Sequence, residues 1–158
     1  MRNRKYFPHN TVIFVTTRVE EGLPLTPTYL NNLIIKGILA KAQILFPVKV
    51  SHYVIMGNHL HMILVSINSD DVSSFMSYLK GEISQSINRL LGRSQKTNWA
   101  DGYDSPPLLT TPDLIRYVKY IYLNPIRARL TSTIEEYPGL SSWEMFTSGN
   151  HTANYKHV

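Results

Sequence analysis

The segment 53–66 (YVIMGNHLHMILVS) constrains the chain most, because it combines a strand pattern, a turn signal and a pair of histidines. Its Gly-Asn dipeptide is typical of a tight turn between two antiparallel strands. Side chains alternate along a strand, so His59 and His61 lie on the same face. Two imidazoles placed in this way can hold one divalent metal ion from one side. The opposite face is apolar and predicts a core: Leu60, Met62 and Leu64.

Hydrophobic spacing and helix-start signals predict the other elements. Strands are expected at 11–17 and 48–56, with a short one at 108–110. The helices are expected to begin at Thr26-Pro27, at Asp70 or Asp71, and at Thr111-Pro112, and to end before Pro47, at Gly92 and at Asn124-Pro125. This order, β-α-β-β-α-(β)-α, predicts an α+β ferredoxin-like sandwich, an antiparallel sheet with helices packed on one face.

Length and composition narrow the class of protein. The 158 residues are enough for one domain, expected at 1–148, with a flexible tail at 149–158. The absence of cysteine excludes a thiolate metal site, so a metal would need histidine, carboxylate, amide or water ligands. The net charge of +5 favours a polyanionic partner. No apolar run approaches the roughly 18–20 residues that span a membrane, so a cytoplasmic protein is expected.

A second chemical signal lies in the predicted third helix, at 117–125 (YVKYIYLNP). With 100° per residue, Val118 and Ile121 fall within about 40° of Leu114 and form its core stripe. Tyr120 and Asn124 are one turn apart on the edge of that stripe. A tyrosine hydroxyl is a weak nucleophile at neutral pH, but a metal ion on a phosphate can organise its attack. The two segments together predict an enzyme that breaks and rejoins DNA phosphodiester bonds through a tyrosine.

Four segments resemble a known family. The His59-Leu60-His61 triplet after 56–58 (MGN) resembles the HUH motif of single-tyrosine transposases. The helix 120–128 (YIYLNPIRA) resembles the tyrosine helix of the REP-associated subfamily. The segment 137–143 (YPGLSSW) is similar to that subfamily's Tyr-Pro-Trp-Ser-Ser stretch, and 99–103 (WADGY) to its aromatic-glycine stretch. The resemblance runs from about residue 5 to about residue 146.

The resemblance implies a function and a site. Members bind hairpin-forming single-stranded DNA and nick it, leaving a 5′-phosphotyrosine and a free 3′-hydroxyl. Tyr120 would be the nucleophile, and His59, His61 and Asn124 would hold Mg²⁺ or Mn²⁺. Mobile insertion-sequence members usually carry glutamine in place of Asn124, so the REP-associated branch is favoured. Gly57 stands where many members have proline, which we interpret as a difference in the turn. Insertion-sequence relatives act as dimers, whereas a monomer is favoured here and a homodimer is left open.

Basic and aromatic residues are candidates for contact with DNA. The predicted phosphate contacts, for which a solvated helix face is the alternative, are Arg93, Lys96, Arg116, Lys119 and Arg127. Trp99 and Tyr103 could stack on unpaired bases, whereas core packing is favoured for Trp143.

Two other functions compete with the tyrosine transposase. One is a domesticated protein that binds the same hairpins without cutting them. The other is a metallohydrolase that activates water on the two histidines, whose activity would survive Tyr120→Phe. A purely structural His-x-His pair is the simplest alternative for the metal site.

Overall fold

The computed structural model describes residues 10–20, 22, 24–94 and 99–150. Within these residues the elements follow in the order β1-α1-β2-β3-α2-α3-α4. The strands are β1 (Thr11–Arg18), β2 (Val48–Met56) and β3 (His59–Ser66). The helices are α1 (Tyr29–Leu45), α2 (Ser69–Leu90), α3 (Thr111–Arg127) and α4 (Trp143–Ser148). The predicted α+β class is confirmed.

The three strands form one antiparallel sheet in the order β1-β3-β2, so the histidine-bearing β3 is the central strand. His61 lies opposite Thr16 of β1 and Val54 of β2. The predicted hairpin between β2 and β3 turns at Gly57 and Asn58, where Met56 pairs with His59. A central strand is held on both sides, and the positions of its side chains are therefore fixed by two neighbours.

Helices cover both faces of the sheet, which corrects the prediction that they would share one. Leu60, Met62 and Leu64 belong to the larger core, with apolar residues of α1 and α2. Phe14 and Ile63 point the other way and belong to a smaller core with Ile121 and Tyr122 of α3. The strand pattern predicted one buried face only, because the histidines made the other look polar. Ile63 and the apolar stripe of α3 bury much of that second face.

Hydrogen-bonding side chains start the three longer helices. The Thr28 side chain accepts a hydrogen bond from the Asn31 amide, which places the start of α1 two residues after the predicted Thr26. Asn68, rather than Asp70 or Asp71, caps α2, and both aspartates lie in its first turn. Thr110 caps α3, one residue before the predicted cap Thr111.

Two predictions near α3 are wrong. Residues 108–110 form no strand; instead, 104–108 runs beside β1 through individual hydrogen bonds such as that from the Thr16 amide to the Asp104 carbonyl (3.0 Å). Helix α3 does not end at Pro125 but continues to Arg127, with Pro125 buried inside it. A proline in a helix lacks one backbone donor. We attribute its tolerance here to the burial of the proline ring.

The free edge of β2 is covered by the segment 137–142. The Ile55 amide donates to the Leu140 carbonyl (2.8 Å), and the buried Tyr137 hydroxyl donates to the Ile55 carbonyl (2.8 Å). Gly139 lies against the Tyr137 ring so closely that a Cβ atom would overlap it. This glycine is therefore required by space.

Gly139→Ala is expected to lower the free energy of unfolding by about 2 kcal/mol, the usual range for overpacking. The Tyr137 ring can escape the new methyl group only by giving up its hydrogen bond to Ile55. Urea unfolding followed by circular dichroism measures the change. Gly37→Ala is the control, because a Cβ there meets nothing within 4 Å and alanine favours a helix. Equal midpoints for Gly139→Ala and the unmodified protein would contradict this account.

Candidate active site

The histidine pair lies on the α3 face of the sheet. The rings of His59 and His61 have centroids 4.8 Å apart and are nearly perpendicular, at 77°. Helix α3 crosses β2 and β3 on this face, and its Tyr120 ring lies 5.3 Å from the His61 ring. The structure therefore brings the predicted histidines and the predicted tyrosine together, although they are about sixty residues apart in sequence.

His61 is buried without hydrogen bonds. The residue is only 4% exposed, and neither ring nitrogen has a hydrogen-bond partner among the described residues. The Phe14 ring stacks near it with centroids 5.7 Å apart. Burial, and secondarily the charge of His59, lower the His61 pKa to about 3. The imidazole is therefore neutral at physiological pH, which is its metal-binding form.

His59 is held between two amide side chains. Its Nδ1 lies 2.6 Å from Asn58 Oδ1, and Asn124 of α3 lies near enough to influence the pKa of the ring. Burial lowers the His59 pKa, while Asn124 opposes that shift. If Nδ1 carries the proton, it donates to Asn58 and leaves Nε2 with a lone pair. A second-sphere carbonyl that fixes the tautomer in this way is common for histidines that bind metals.

Sequence reasoning missed Asn58 as part of the site. Asn58 was recognised as half of a turn and as the residue before the HUH-like triplet, but no role in the site was assigned to it. Its position directly before the histidine strand was the available signal, because a turn residue at a strand end can reach the neighbouring side chain. The stacking role of Phe14 was not predictable, since it depends on the register between β1 and β3.

The donor set suits a divalent metal ion. His61 contributes a buried nitrogen that lacks a partner, and such a group costs about 1–3 kcal/mol unless something satisfies it. No three histidine, cysteine, aspartate or glutamate side chains cluster anywhere in the described part of the chain. A metal at this site would thus depend on two imidazoles and the Asn124 amide oxygen. That set leaves positions open for phosphate oxygens, as Mg²⁺ and Mn²⁺ require.

Tyr120 lies at the boundary between this site and solvent. The residue is 36% exposed, and its ring contacts the Phe14 ring edge-on at 5.7 Å. The next residue, Ile121, is fully buried and fixes the rotation of α3. The predicted angular positions of Tyr120 and Asn124, at the edge of the core stripe, agree with this placement. A substrate can therefore reach the Tyr120 hydroxyl from outside.

The predicted DNA contacts fall in two separate places. Arg116, Lys119 and Arg127 line a groove of about 750 Å³ along α3 that also contains Tyr120. The Arg127 guanidinium lies 6.0 Å from the centre of the Tyr120 ring, and Arg116 forms an ion pair with Asp113 (2.8 Å). Arg93 lies elsewhere, at the end of α2. Lys96 is outside the described residues.

A buried polar network anchors α3 to the sheet. The Tyr122 hydroxyl lies 2.8 Å from His52 Nδ1 and 3.0 Å from Ser142 Oγ. Ser142 Oγ in turn accepts from the Tyr53 amide (2.8 Å), so β2, α3 and the segment before α4 share one network. Trp143 packs against the smaller core, as favoured above. Through its contact with the Tyr122 hydroxyl, His52 helps to position the helix that bears Tyr120.

Acid is expected to destabilise the metal-free protein as the pH falls from about 6.5 towards 3. In the unfolded chain, His61 takes up a proton as the pH falls below about 6.5, the usual pKa of histidine, whereas in the folded chain it takes up the proton only at about pH 3. The contribution of this pKa difference to the free energy of unfolding is therefore fully present above about pH 6.5. It is lost as the pH falls towards 3, by up to about 1.4 kcal/mol for each pH unit. Urea unfolding in EDTA between about pH 7 and pH 4 measures the slope. His61→Leu should reduce that slope; an unchanged slope would contradict the buried, neutral imidazole.

Comparison with known proteins identifies the family. The model of the IS200-like transposases matches residues 32–124, which are more than half of the chain. The chain therefore belongs to the IS200-like transposase family. The matched region begins in α1 and includes the histidine pair, Tyr120 and Asn124. A search of curated proteins finds no match.

Two solved structures share the fold. One is a REP-associated tyrosine transposase bound to a REP hairpin, with a TM-score of 0.78 and 18% identity over 100% of this chain and 93% of that chain. The other is a candidate transposase from Deinococcus radiodurans R1, with a TM-score of 0.50 and 13% identity over 77% of this chain and 95% of that chain. Within the described residues no helix has the length and apolar character to cross a membrane.

Proposed function

We propose that this protein is a metal-dependent strand transferase of the REP-associated type, which nicks and rejoins hairpin-bearing single-stranded DNA through Tyr120. One observation carries the proposal. The Tyr120 ring lies 5.3 Å from the His61 ring, and Asn124, one turn further along α3, is close enough to His59 to oppose the lowering of its imidazole pKa by burial. An accessible phenol thus lies beside two neutral imidazoles and an amide in a basic groove.

The covalent step exchanges one phosphate ester for another. The Tyr120 oxygen attacks the scissile phosphorus and forms a bond to it, while the bond from phosphorus to the 3′-oxygen breaks. The phenol proton is released to solvent, and the leaving 3′-oxygen takes up a proton to become a hydroxyl. The DNA 5′-phosphate remains attached to Tyr120. Attack by a 3′-hydroxyl reverses the step, and the ester bond energy is retained, so rejoining needs no ATP.

The residues around Tyr120 have separate tasks. His59, His61 and Asn124 would hold Mg²⁺ or Mn²⁺, which supplies charge neutralisation at the phosphoryl oxygens. Phe14 packs against both the His61 ring and the Tyr120 ring and so fixes their relative positions. Lys119 and Arg127 line the groove beside the nucleophile and would hold the DNA backbone.

The REP-associated type is supported by sequence and fold together. Asn124 replaces the glutamine usual in mobile insertion sequences, and the solved relative that matches the whole chain is bound to a REP hairpin. We therefore propose a hairpin in single-stranded DNA as the substrate, a cytoplasmic location, and a monomer as the active form.

The test is a covalent adduct between the protein and DNA. The protein is incubated with Mn²⁺ or Mg²⁺ and a labelled single-stranded oligonucleotide that carries a hairpin and unpaired flanks, then analysed on a denaturing gel. An adduct that EDTA prevents, and that peptide mass spectrometry places on Tyr120, supports the proposal. Binding without an adduct across several hairpins would overturn it in favour of a protein that only binds DNA. Hydrolysis that survives Tyr120→Phe would indicate a metallohydrolase.

A further inference from the structure

A second cleft lies on the sheet face opposite Tyr120, between α2 and the segment 99–103. Its volume is about 840 Å³, within the range of about 300–1,000 Å³ typical of ligand sites in proteins. We call it the α2 cleft. Its polar lining comes mainly from one face of α2 and includes Ser77, Lys80, Ser84, Gln85, Arg89 and Arg93.

The two walls of the α2 cleft are tied together. The Lys80 ammonium donates to the carbonyls of Ala100 (3.2 Å) and Gly102 (2.9 Å). In the reverse direction, the Trp99 indole N–H donates to the Lys80 carbonyl (2.9 Å). Trp99 itself is buried in the larger core. These three hydrogen bonds hold the segment 99–102 against α2 and fix the separation of the two walls at this end of the cleft.

The charge of the cleft favours an anion. Arg89 and Arg93 are exposed on its rim. Among the described residues that line the cleft there is no carboxylate. Acidic side chains near the cleft line neighbouring grooves instead, Glu82 along α2 and Asp101 and Asp104 beside β1. A phosphate backbone would thus meet cations without repulsion from the lining.

The floor of the cleft offers groups that suit a nucleic-acid base as well as a phosphate. Ser84 is 8% exposed, and its Oγ atom has no hydrogen-bond partner among the described residues. Gln85 beside it is exposed and offers both a donor and an acceptor. The half-buried Tyr103 ring lies in the opposite wall. Hydrogen-bonding groups next to an aromatic ring and cations suit an unpaired base, whose edges and faces are free.

The α2 cleft is connected to the tyrosine site along the surface. Gly102 and Tyr103 also line a smaller groove of about 300 Å³. That groove includes Thr16 and Arg18 of β1, which pair with His61 and His59 across the sheet. The same groove contains Asp101 and Asp104, so a DNA strand that runs from the edge of β1 to the α2 cleft would cross the 101–104 loop past two carboxylates.

We infer that the α2 cleft binds unpaired DNA nucleotides that flank the hairpin, on the same strand whose phosphodiester bond reaches Tyr120. The inference rests on the proposed function for the identity of that strand. Arg89 and Arg93 hold its phosphates, and Ser84, Gln85 and Tyr103 contact a base. The cleft thereby contributes to the choice of the flanking sequence at a distance from the reacting phosphate.

Gly81 provides a sharp test, because it opens onto the cleft and a Cβ there meets nothing within 4 Å. Gly81→Glu places a negative charge in the cleft, and Gly81→Lys places a positive charge of similar size there. Gly37→Glu on α1 adds the same negative charge outside the cleft lining, also without a clash. All three changes are made in Tyr120→Phe protein, so that binding is measured without cleavage.

Fluorescence anisotropy compares a hairpin oligonucleotide with unpaired flanks and the same hairpin without them. Gly81→Glu is expected to raise the Kd for the flanked DNA about tenfold, in line with the loss of one stacked base, and to leave the Kd for the bare hairpin unchanged. Gly37→Glu should bind both oligonucleotides as tightly as the Tyr120→Phe protein does. Gly81→Lys should bind them as tightly or more tightly. The binding by Gly81→Lys also shows that a large side chain at this position leaves the fold intact.

Four outcomes would overturn the inference. Equal weakening by Gly81→Glu and Gly37→Glu would mean a general charge effect. Equal weakening for both oligonucleotides would place the hairpin stem in the cleft, and tighter binding of an RNA flank would reassign the ligand.

The adduct assay separates this inference from the proposed function. Cleft variants that behave as expected in a protein that forms no adduct would contradict only the proposed function, whereas an adduct with cleft variants that all bind alike would contradict only the cleft.

Discussion

Tyr120→Phe is expected to abolish the covalent adduct with DNA and to reduce nicking by on the order of 10⁴-fold or more, because the substitution removes the only atom that forms the new ester bond. Binding should change little, since the ring keeps its contacts with Phe14 and His61. Quantitative gel assays of adduct formation and anisotropy measurements of DNA binding on the same protein preparations test both expectations.

Tyr117→Phe is the matched control for this prediction. Tyr117 lies three residues earlier on α3, and its ring packs against Phe14 with centroids 4.5 Å apart. The same loss of one hydroxyl there should leave both the adduct and the nicking rate within about threefold of the unmodified protein, the usual spread of a peripheral change. If Tyr117→Phe removed the adduct and Tyr120→Phe did not, the nucleophile would be Tyr117 rather than Tyr120.

Local sequence patterns predicted most of the fold. β-branched runs located β1 and β2, and the threonine, aspartate and proline signals located the starts of the three longer helices to within a few residues. These features depend on residues next to each other in the chain. The predicted strand at 108–110 failed because the edge of β1 is instead paired by isolated hydrogen bonds from 104–108, which follow no alternation that a pattern could reveal.

The layering of helices was harder to predict than their positions. Two imidazoles made one face of β3 look polar, although Ile63 of β3, Phe14 of β1 and Val54 of β2 make most of this face of the sheet apolar. A single strand does not show what its neighbours add to each face. The second layer therefore emerged only once the register between the three strands was known.

The candidate site was predictable in its residues but not in its environment. Period-two alternation placed His59 and His61 together, and helical spacing placed Asn124 beside Tyr120. The burial of His61 and the hydrogen bond that Asn58 Oδ1 accepts from His59 depend on how α3 and the turn close over the sheet. These tertiary contacts keep the His61 imidazole neutral and orient the His59 ring.

His61→Leu is expected to make the metal-free protein more stable by about 1 kcal/mol while it reduces nicking more than about 100-fold. The imidazole is buried with no hydrogen bond for either nitrogen, so an apolar side chain of similar size removes an unmet desolvation cost. The same change removes a nitrogen proposed to bind the metal. Changing a group that merely hydrogen-bonds to such a ligand already costs about 10- to 100-fold, so the loss here should be larger.

His59→Leu separates the two effects. His59 is half-buried and hydrogen-bonds to Asn58, so its loss leaves that amide with one partner fewer and should not stabilise the fold. Nicking should fall for both variants, whereas only His61→Leu should raise the midpoint of urea unfolding in EDTA. A destabilised His61→Leu protein would show that the ring has an unrecognised structural partner. A more stable but fully active one would remove His61 from the proposed metal site. A metal site requires an imidazole nitrogen that the ion, rather than another protein group, satisfies. Such an imidazole lowers the stability of the metal-free fold but is needed for the chemistry.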